Sequence, residues 1–260
     1  NGLEVAAALA GWGMKVAVVN RSSRVFPALF TPAISEKIQG VFESHGVVFR
    51  CGETPAEISG NNGRVSSVTL HSGEVLPAHV VAVGLGATAN TDLLQDQTPL
   101  ASGGLQVTEH LHLPSHRNVY AVGDVCAFPN SHPLFGGAVQ RSEHVDQARE
   151  SAAFAARAAT QGPTEPYSYL PFFYSRVFEY TNTPLIWNFW GKVSDEVIDY
   201  AEENGIFGAY WLDSQRKVVG ALVGGSPPPS DEQFTAVKKL VLEGVVAPVG
   251  ELGLSWASGP

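Results

Sequence analysis

Residues 2–20 constrain the fold of this chain more than any other stretch. Gly2-Leu-Glu-Val-Ala-Ala-Ala-Leu-Ala-Gly-Trp12 sets Leu3, Val5, Leu9 and Trp12 as an apolar stripe along an alanine-rich helix. Gly13 is placed to cap its C-terminal end. Lys15-Val-Ala-Val-Val-Asn20 follows as a short apolar run closing on a polar residue, the pattern of a buried parallel strand. Helix, glycine, strand is half of a βαβ unit, which predicts an α/β fold. The strand expected before the helix is absent and Asn1 falls inside the expected motif, so the sequence reads as a piece of a longer protein whose N-terminus is missing.

The same patterning continues along the chain. Thr31 and Pro32 open a helix over 32–45, Gly46 closes it, and Val47–Cys51 reads as a strand. Val65, Val68 and Leu70 lead to a turn at His71-Ser72-Gly73, with Val75 and Leu76 beyond it, which predicts a hairpin. Val80–Gly84 is predicted to be a buried strand, and Asn118–Asp124 an apolar strand ending in Gly123-Asp124. An alanine-rich helix is expected from Ser142 to residue 160, then a linker over 161–166. Short aromatic-rich strands follow at 169–180, 185–191, 206–213 and 217–224, and a last helix near 231–244. Two nucleotide-binding pieces followed by a mixed α+β domain are therefore expected, with boundaries at 1–86, 87–162 and 163–260.

Charge and composition narrow the function. The net charge is −9 and no Lys/Arg stripe is clustered, which argues against nucleic-acid binding. No apolar run reaches the roughly 20 residues of a membrane span. Cys51 and Cys126 stand alone with no C-x-x-C, which argues against a redox-active disulfide; both read as small buried thiols. His110 and His112 share one face of a strand with no third ligand in view, so no metal site is expected. Trp187, Phe189, Trp190 and Trp211 read as the core of the last domain.

Three places carry chemistry. Gly2 and Glu4 stand at a helix start, where free N–H groups and the helix dipole can hold a pyrophosphate. Past the next strand, Asn20-Arg21-Ser22-Ser23-Arg24 holds no carboxylate for ribose hydroxyls. Arg21, Ser22 and Arg24 suit a 2′-phosphate and hence NADPH, because guanidinium binds phosphate bidentately; a solvated polar turn is the other reading. Tyr120-Ala-Val-Gly-Asp124 ends a strand in a carboxylate that can accept a hydroxyl hydrogen bond from a ligand such as the ribityl chain of FAD, or cap the following turn.

Arg141-Ser-Glu-His-Val-Asp-Gln-Ala-Arg149 and Tyr169-Leu-Pro-Phe-Phe-Tyr-Ser-Arg176 resemble the segments that monodehydroascorbate reductases carry after their second FAD motif and in their C-terminal signature. Leu29-Phe-Thr31 and Val219–Gly225 match in the expected order. The resemblance implies a two-dinucleotide-binding-domain flavoprotein: an NAD(P)H-binding domain, the second half of the FAD-binding domain and an α+β C-terminal domain. It implies FAD and NAD(P)H as cofactors, with Asp124, Val145 and Tyr174 toward FAD. Gly2, Glu4, Gly86, Glu143 and His144 would border the nicotinamide nucleotide. Arg149, Tyr174 and Arg176 would receive the monodehydroascorbate radical, a small-molecule substrate. The family's acidic residue after the strand aligns with Ser22, and its nearby Arg with Ala28, so the cofactor preference departs from the pattern. An intracellular location, in cytosol or an organelle of an ascorbate-using organism, follows from the same resemblance. The isolated 260-residue chain is expected to hold FAD weakly and to be inactive. Two other functions fit the same residues: a reductase for a ferredoxin-like or quinone acceptor, and a non-catalytic protein that keeps the fold.

Overall fold

The computed structural model describes residues 1–94, 103–162, 165–202, 204–250 and 253–257. It divides into two compact units, one comprising Asn1–Leu85, Tyr174–Asn188 and Val193–Pro260, the other Gly86–Phe173 and Phe189–Lys192.

The first unit opens with α1 (Gly2–Gly11), which buries Ala6 and Ala7 and ends as Gly13 turns left-handed at φ +80°. Parallel strands β1 (Ala17–Asn20) and β2 (Val48–Cys51) pair Ala17 with Val48 and Asn20 with Cys51. The crossover between them is α2 (Pro32–Ser44), whose Thr31 cap accepts from the Ile34 N–H. Ile34, Ile38 and Phe42, spaced four apart, form its buried face. Next comes an antiparallel sheet of β3 (Pro55–Asn61), β4 (Arg64–Leu70) and β5 (Val75–Pro77). The hairpin at 71–73 is as expected; β3 was not. Its signal is Asn62-Gly63, both at positive φ (52° and 74°), the turn that matches strand twist.

One expectation fails here. Val80–Gly84 forms no strand, and Val80, Val83 and Leu85 are exposed. An apolar run becomes a strand only where neighbours take its backbone hydrogen bonds, and no described residue does so for this one. β1 is likewise more exposed than a fully buried parallel strand should be.

The second unit contains β6 (Leu105–Gln106), β7 (His112–Leu113), β8 (His116–Tyr120), β9 (Cys126–Pro129) and β10 (Val139–Gln140). β6 runs parallel to β9, β10 antiparallel to β9, and β7 antiparallel to β8. The apolar stretch 118–124 thus leaves its strand at Tyr120, and Gly123–Val125 closes into a 3-10 turn. His110 lies outside β7, so it does not share a strand face with His112. Helix α3 (Val145–Gln161) begins three residues later than Ser142, because His144 accepts from the Asp146 N–H and serves as its cap. Leu111, Leu113, Phe128, Phe154, Tyr167 and Tyr169 share the core of this unit. Burial there pushes the Cys126 thiol up to about 12, which leaves it unreactive at neutral pH. Cys51 is only half-buried, a correction to its reading as a core thiol.

The last sheet has the order β11 (Phe172–Val177), β12 (Leu185–Gly191), β15 (Val218–Gly225), β14 (Ile206–Leu212) and β13 (Glu196–Ala201). β14 and β15 fall where strands were expected, and every residue of both is buried. Trp187 of β12 packs on Phe26 and Phe30 at ring distances of 5.8 and 4.9 Å. Helix α4 (Asp231–Glu243) starts on a reciprocal Ser230–Gln233 cap and ends at left-handed Gly244, and α5 (Leu254–Ala257) follows. Gly208 of β14 has no room for a side chain: a Cβ would overlap the Leu222 carbonyl and the Tyr200 hydroxyl. Gly208→Ala is expected to cost about 3 kcal/mol of stability, read as a lowered midpoint in denaturant; an unchanged midpoint would contradict that packing.

Candidate functional site

In the first unit, three features occupy the positions the sequence singled out. Gly2 opens α1, and a Cβ on Gly84 would lie 3.4 Å from the Gly2 Cα, so the helix start and the segment 80–85 approach backbone to backbone. Glu4 sits in the first turn, and its carboxylate accepts a 3.0 Å hydrogen bond from Ser175 Oγ. Ser175 is 7% exposed and lies on β11 between Tyr174 and Arg176. Strand alternation therefore sends Tyr174 and Arg176 to the opposite, exposed face, with Tyr174 40% exposed. Ser175 went unnoticed in the sequence, where a serine between two functional candidates carries no signal of its own beyond its place in the alternation.

The loop after β1 is firmly built. Asn20 Nδ2 donates to the carbonyls of Ser22 (3.1 Å) and Arg24 (3.0 Å). Just past β2, the N–H of Gly52 donates to Ser22 O at 2.9 Å and that of Glu53 to Asn20 O at 3.2 Å. Arg24 turns into its own loop, donating to Phe30 O, to Ser35 Oγ at 2.8 Å and to Pro27 O at 3.1 Å. Arg21 is exposed and bonds to no described residue.

In the second unit, the 3-10 turn presents Asp124 with its carboxylate exposed. Gly123 makes this turn possible: its φ is +70°, its N–H donates to Ser151 Oγ at 3.0 Å, and a Cβ would touch Ala148. Arg141 donates to the Asp124 carbonyl at 2.9 Å and pairs with Glu143 at 2.6 Å. Val145 is the first residue of α3, where N–H groups lack helical partners and the dipole is positive. Arg149, one turn on, is exposed. Gly86, at φ +93°, is exposed at the beginning of this unit. The exposed Asp124 carboxylate, on a glycine-dependent turn, and the Val145 N–H at the helix start form an acceptor and donor set that fits FAD. Among the described residues no cluster of three His, Cys, Asp or Glu is placed to hold a metal ion.

His144 lies against the rings of Phe172 and Phe173, at 5.6 and 5.7 Å. Burial lowers its pKa from the usual 6.5, with the Asp146 charge opposing. The neutral ring is the form that accepts from the Asp146 N–H, 3.2 Å away. Its capping contribution is therefore present above about pH 6.5 and is lost as pH falls through the lower folded value. Hydrogen-exchange protection of the Asp146 amide is expected to drop over that range in the native protein and to stay flat in His144→Asn, whose cap does not titrate. Equal profiles in the two would refute the imidazole cap.

Residues 1–159 match the sequence profile of the family described as pyridine nucleotide-disulphide oxidoreductase, and residues 170–255 match that of the monodehydroascorbate reductase 3-like C-terminal domain. The chain is 40% identical over 245 residues to a peroxisomal monodehydroascorbate reductase 2 of Oryza sativa subsp. japonica, covering 92% of this chain and 49% of the relative. It is 36% identical to monodehydroascorbate reductase of Pisum sativum, covering 99% and 60%. The chain thus spans about half the length of the curated relatives it matches. Among solved structures, a ferredoxin reductase from Rhodopseudomonas palustris matches with a TM-score of 0.74 at 25% identity, covering 84% of this chain and 52% of that one. The covalent putidaredoxin reductase–putidaredoxin complex matches with a TM-score of 0.80 at 23% identity, covering 94% and 56%, and shows the shared fold. The expected α/β class and the resemblance read from residues 141–149 and 169–176 are both borne out. The chain belongs to the pyridine nucleotide-disulphide oxidoreductase family.

Proposed function

We propose that this protein works as a flavin-dependent reductase that passes reducing equivalents from NAD(P)H through FAD to the monodehydroascorbate radical, regenerating ascorbate. The observation that carries the reading is the exposed Tyr174 and Arg176 pair on one face of β11, within a segment that matches the monodehydroascorbate reductase 3-like C-terminal domain. The radical is a small, oxygen-rich anion, for which a guanidinium is the natural clamp. Isoalloxazine, when bound, supplies the redox chemistry, taking up a hydride and returning electrons singly.

The chain's own residues do the rest. Asp124 accepts from a ribityl hydroxyl and the Val145 N–H meets the flavin. Gly2, Glu4, Arg21 and Ser22 receive the nicotinamide nucleotide, with Gly86, Glu143 and His144 at its border. The Ser175 hydroxyl holds the Glu4 carboxylate in one orientation. Arg149 and Arg176 bind the radical anion, and Tyr174 offers a flat ring with a polar tip. The assignment of 1–86 to the nicotinamide nucleotide, 87–162 to FAD and 163–260 to the C-terminal domain belongs to the same proposal. So does a location in the cytosol or an organelle, in keeping with peroxisomal relatives. No described helix is long and apolar enough to cross a membrane.

The likeness to a ferredoxin reductase favours one competing acceptor. Ferredoxin-like proteins are acidic and dock on basic faces, whereas this chain carries a net charge of −9. Steady-state NAD(P)H oxidation by the intact protein, with the radical, a ferredoxin and a quinone offered in turn, separates the readings. The radical is expected to be the preferred acceptor; preference for ferredoxin would overturn the proposal.

A further inference from the structure

We propose that Arg21 is the residue that selects NADPH over NADH, and that neighbouring Arg24 is a framework residue. This inference rests on the nicotinamide-nucleotide reading above and makes it more specific. In an α/β nucleotide fold, the side chains just past the strand that follows the pyrophosphate helix meet the adenosine ribose. A carboxylate there accepts from the 2′-hydroxyl, and an arginine accommodates a 2′-phosphate. α1 and β1 stand in that relation, and the residues past β1 are Arg21, Ser22, Ser23 and Arg24.

The structure divides these four unequally. Arg24 is half-buried and its guanidinium reaches three acceptors: Phe30 O and Pro27 O in the loop and Ser35 Oγ on α2. Ser35 extends this frame by donating to Val25 O at 2.7 Å. Moving Arg24 toward a ligand would leave those acceptors unpaired, which is costly for partly buried groups. Asn20 is engaged as well, its amide bridging the carbonyls of Ser22 and Arg24. What remains outward is Arg21, exposed and bonded to no described residue, with the Ser22 and Ser23 hydroxyls beside it. The backbone that presents Arg21 is held from within by Asn20 and from the residues just past β2 by Gly52 and Glu53. Only its side chain has to be ordered on binding, which favours a tight phosphate contact. The carboxylate that β2 brings to this end of the sheet is Glu53, half-buried, and it defines the competing outcome, an NADH site read by Glu53.

The test is equilibrium binding of NADP⁺ and NAD⁺ to the intact, flavin-loaded protein by calorimetry, so that turnover is not the readout. The native protein is expected to prefer NADP⁺ by about tenfold or more. Arg21→Glu should weaken NADP⁺ by about a hundredfold and reverse the preference, because it exchanges a charge-assisted bond for repulsion. Arg24→Lys keeps a charge but lacks the planar fork whose two nitrogens divide these acceptors between them. It should lower the unfolding midpoint while the folded protein retains the native NADP⁺/NAD⁺ ratio. The assignment is overturned if the native protein prefers NAD⁺, if Arg21→Glu leaves the ratio unchanged, or if Arg24→Lys abolishes NADP⁺ preference at native stability. If the native protein binds neither dinucleotide, the nicotinamide reading itself falls.

Discussion

Arg176→Ala is expected to lower kcat/KM for the monodehydroascorbate radical by about a hundredfold, the loss of one charge-assisted contact in the transition state. NAD(P)H-dependent reduction of a neutral quinone by the same variant should change by less than about threefold, since only the anionic acceptor needs the guanidinium. The exposed position of Arg176 argues against a folding defect, because β11 keeps its buried face, Ser175 and Val177, intact. Arg176→Lys keeps charge without the planar fork and should fall between native and alanine variants. Arg149→Ala is expected to act in the same direction. A double-variant cycle reports whether the two guanidiniums act together: coupling appears as a double variant less impaired than the product of the single losses. Equal losses with radical and quinone would place Arg176 upstream of the acceptor and remove the clamp from the proposal.

Asp124→Ala is expected to strip flavin from the purified intact protein. A hydrogen bond to a charged acceptor contributes about 1.5–3 kcal/mol, which weakens binding roughly tenfold to a hundredfold when it is lost. The ratio of flavin to protein absorbance should fall well below that of the native protein, and Asp124→Asn, which retains an acceptor oxygen, should lose less. The Asp124 backbone contributes separately, through its carbonyl to Arg141, and survives both substitutions. Full flavin content in Asp124→Ala would show that the carboxylate does not hold the cofactor.

Legibility in the sequence followed local physics. The helices α1, α2 and α4 were readable because each carries its own punctuation: Gly13, the Thr31-Pro32 start and the proline-rich turn before Asp231. β14 and β15 were readable because strands buried along their whole length are apolar throughout. β13 was missed because Glu196 and Asp199 interrupt its short apolar run and only Tyr200 is buried, so it joins the sheet through backbone pairing with β14. Val80–Gly84 shows the reverse case: the apolar pattern is present, and pairing partners are not found among the described residues. The start of α3 moved from Ser142 to Val145 because the His144 side chain caps the helix there.

The candidate site was legible as residue types and less so as engagements. Asp124, Tyr174 and Arg176 were singled out, and their exposure suits ligand contact. Arg21 and Arg24 looked equivalent on the page, and only the carbonyls of Pro27 and Phe30 and the hydroxyl of Ser35 separate them. Those acceptors are backbone groups and a distant serine, which no local pattern discloses. The link from Ser175 to Glu4 spans most of the chain and is legible only in three dimensions.

The most direct test is rapid anaerobic mixing of the intact, flavin-loaded protein, first with NAD(P)H and then with enzymatically generated monodehydroascorbate radical. The flavin absorbance should bleach on the first mix and recover on the second at a rate no slower than steady-state turnover. Bleached flavin that recovers with a ferredoxin or a quinone but not with the radical, or flavin that NAD(P)H does not bleach at all, would contradict the proposed reaction.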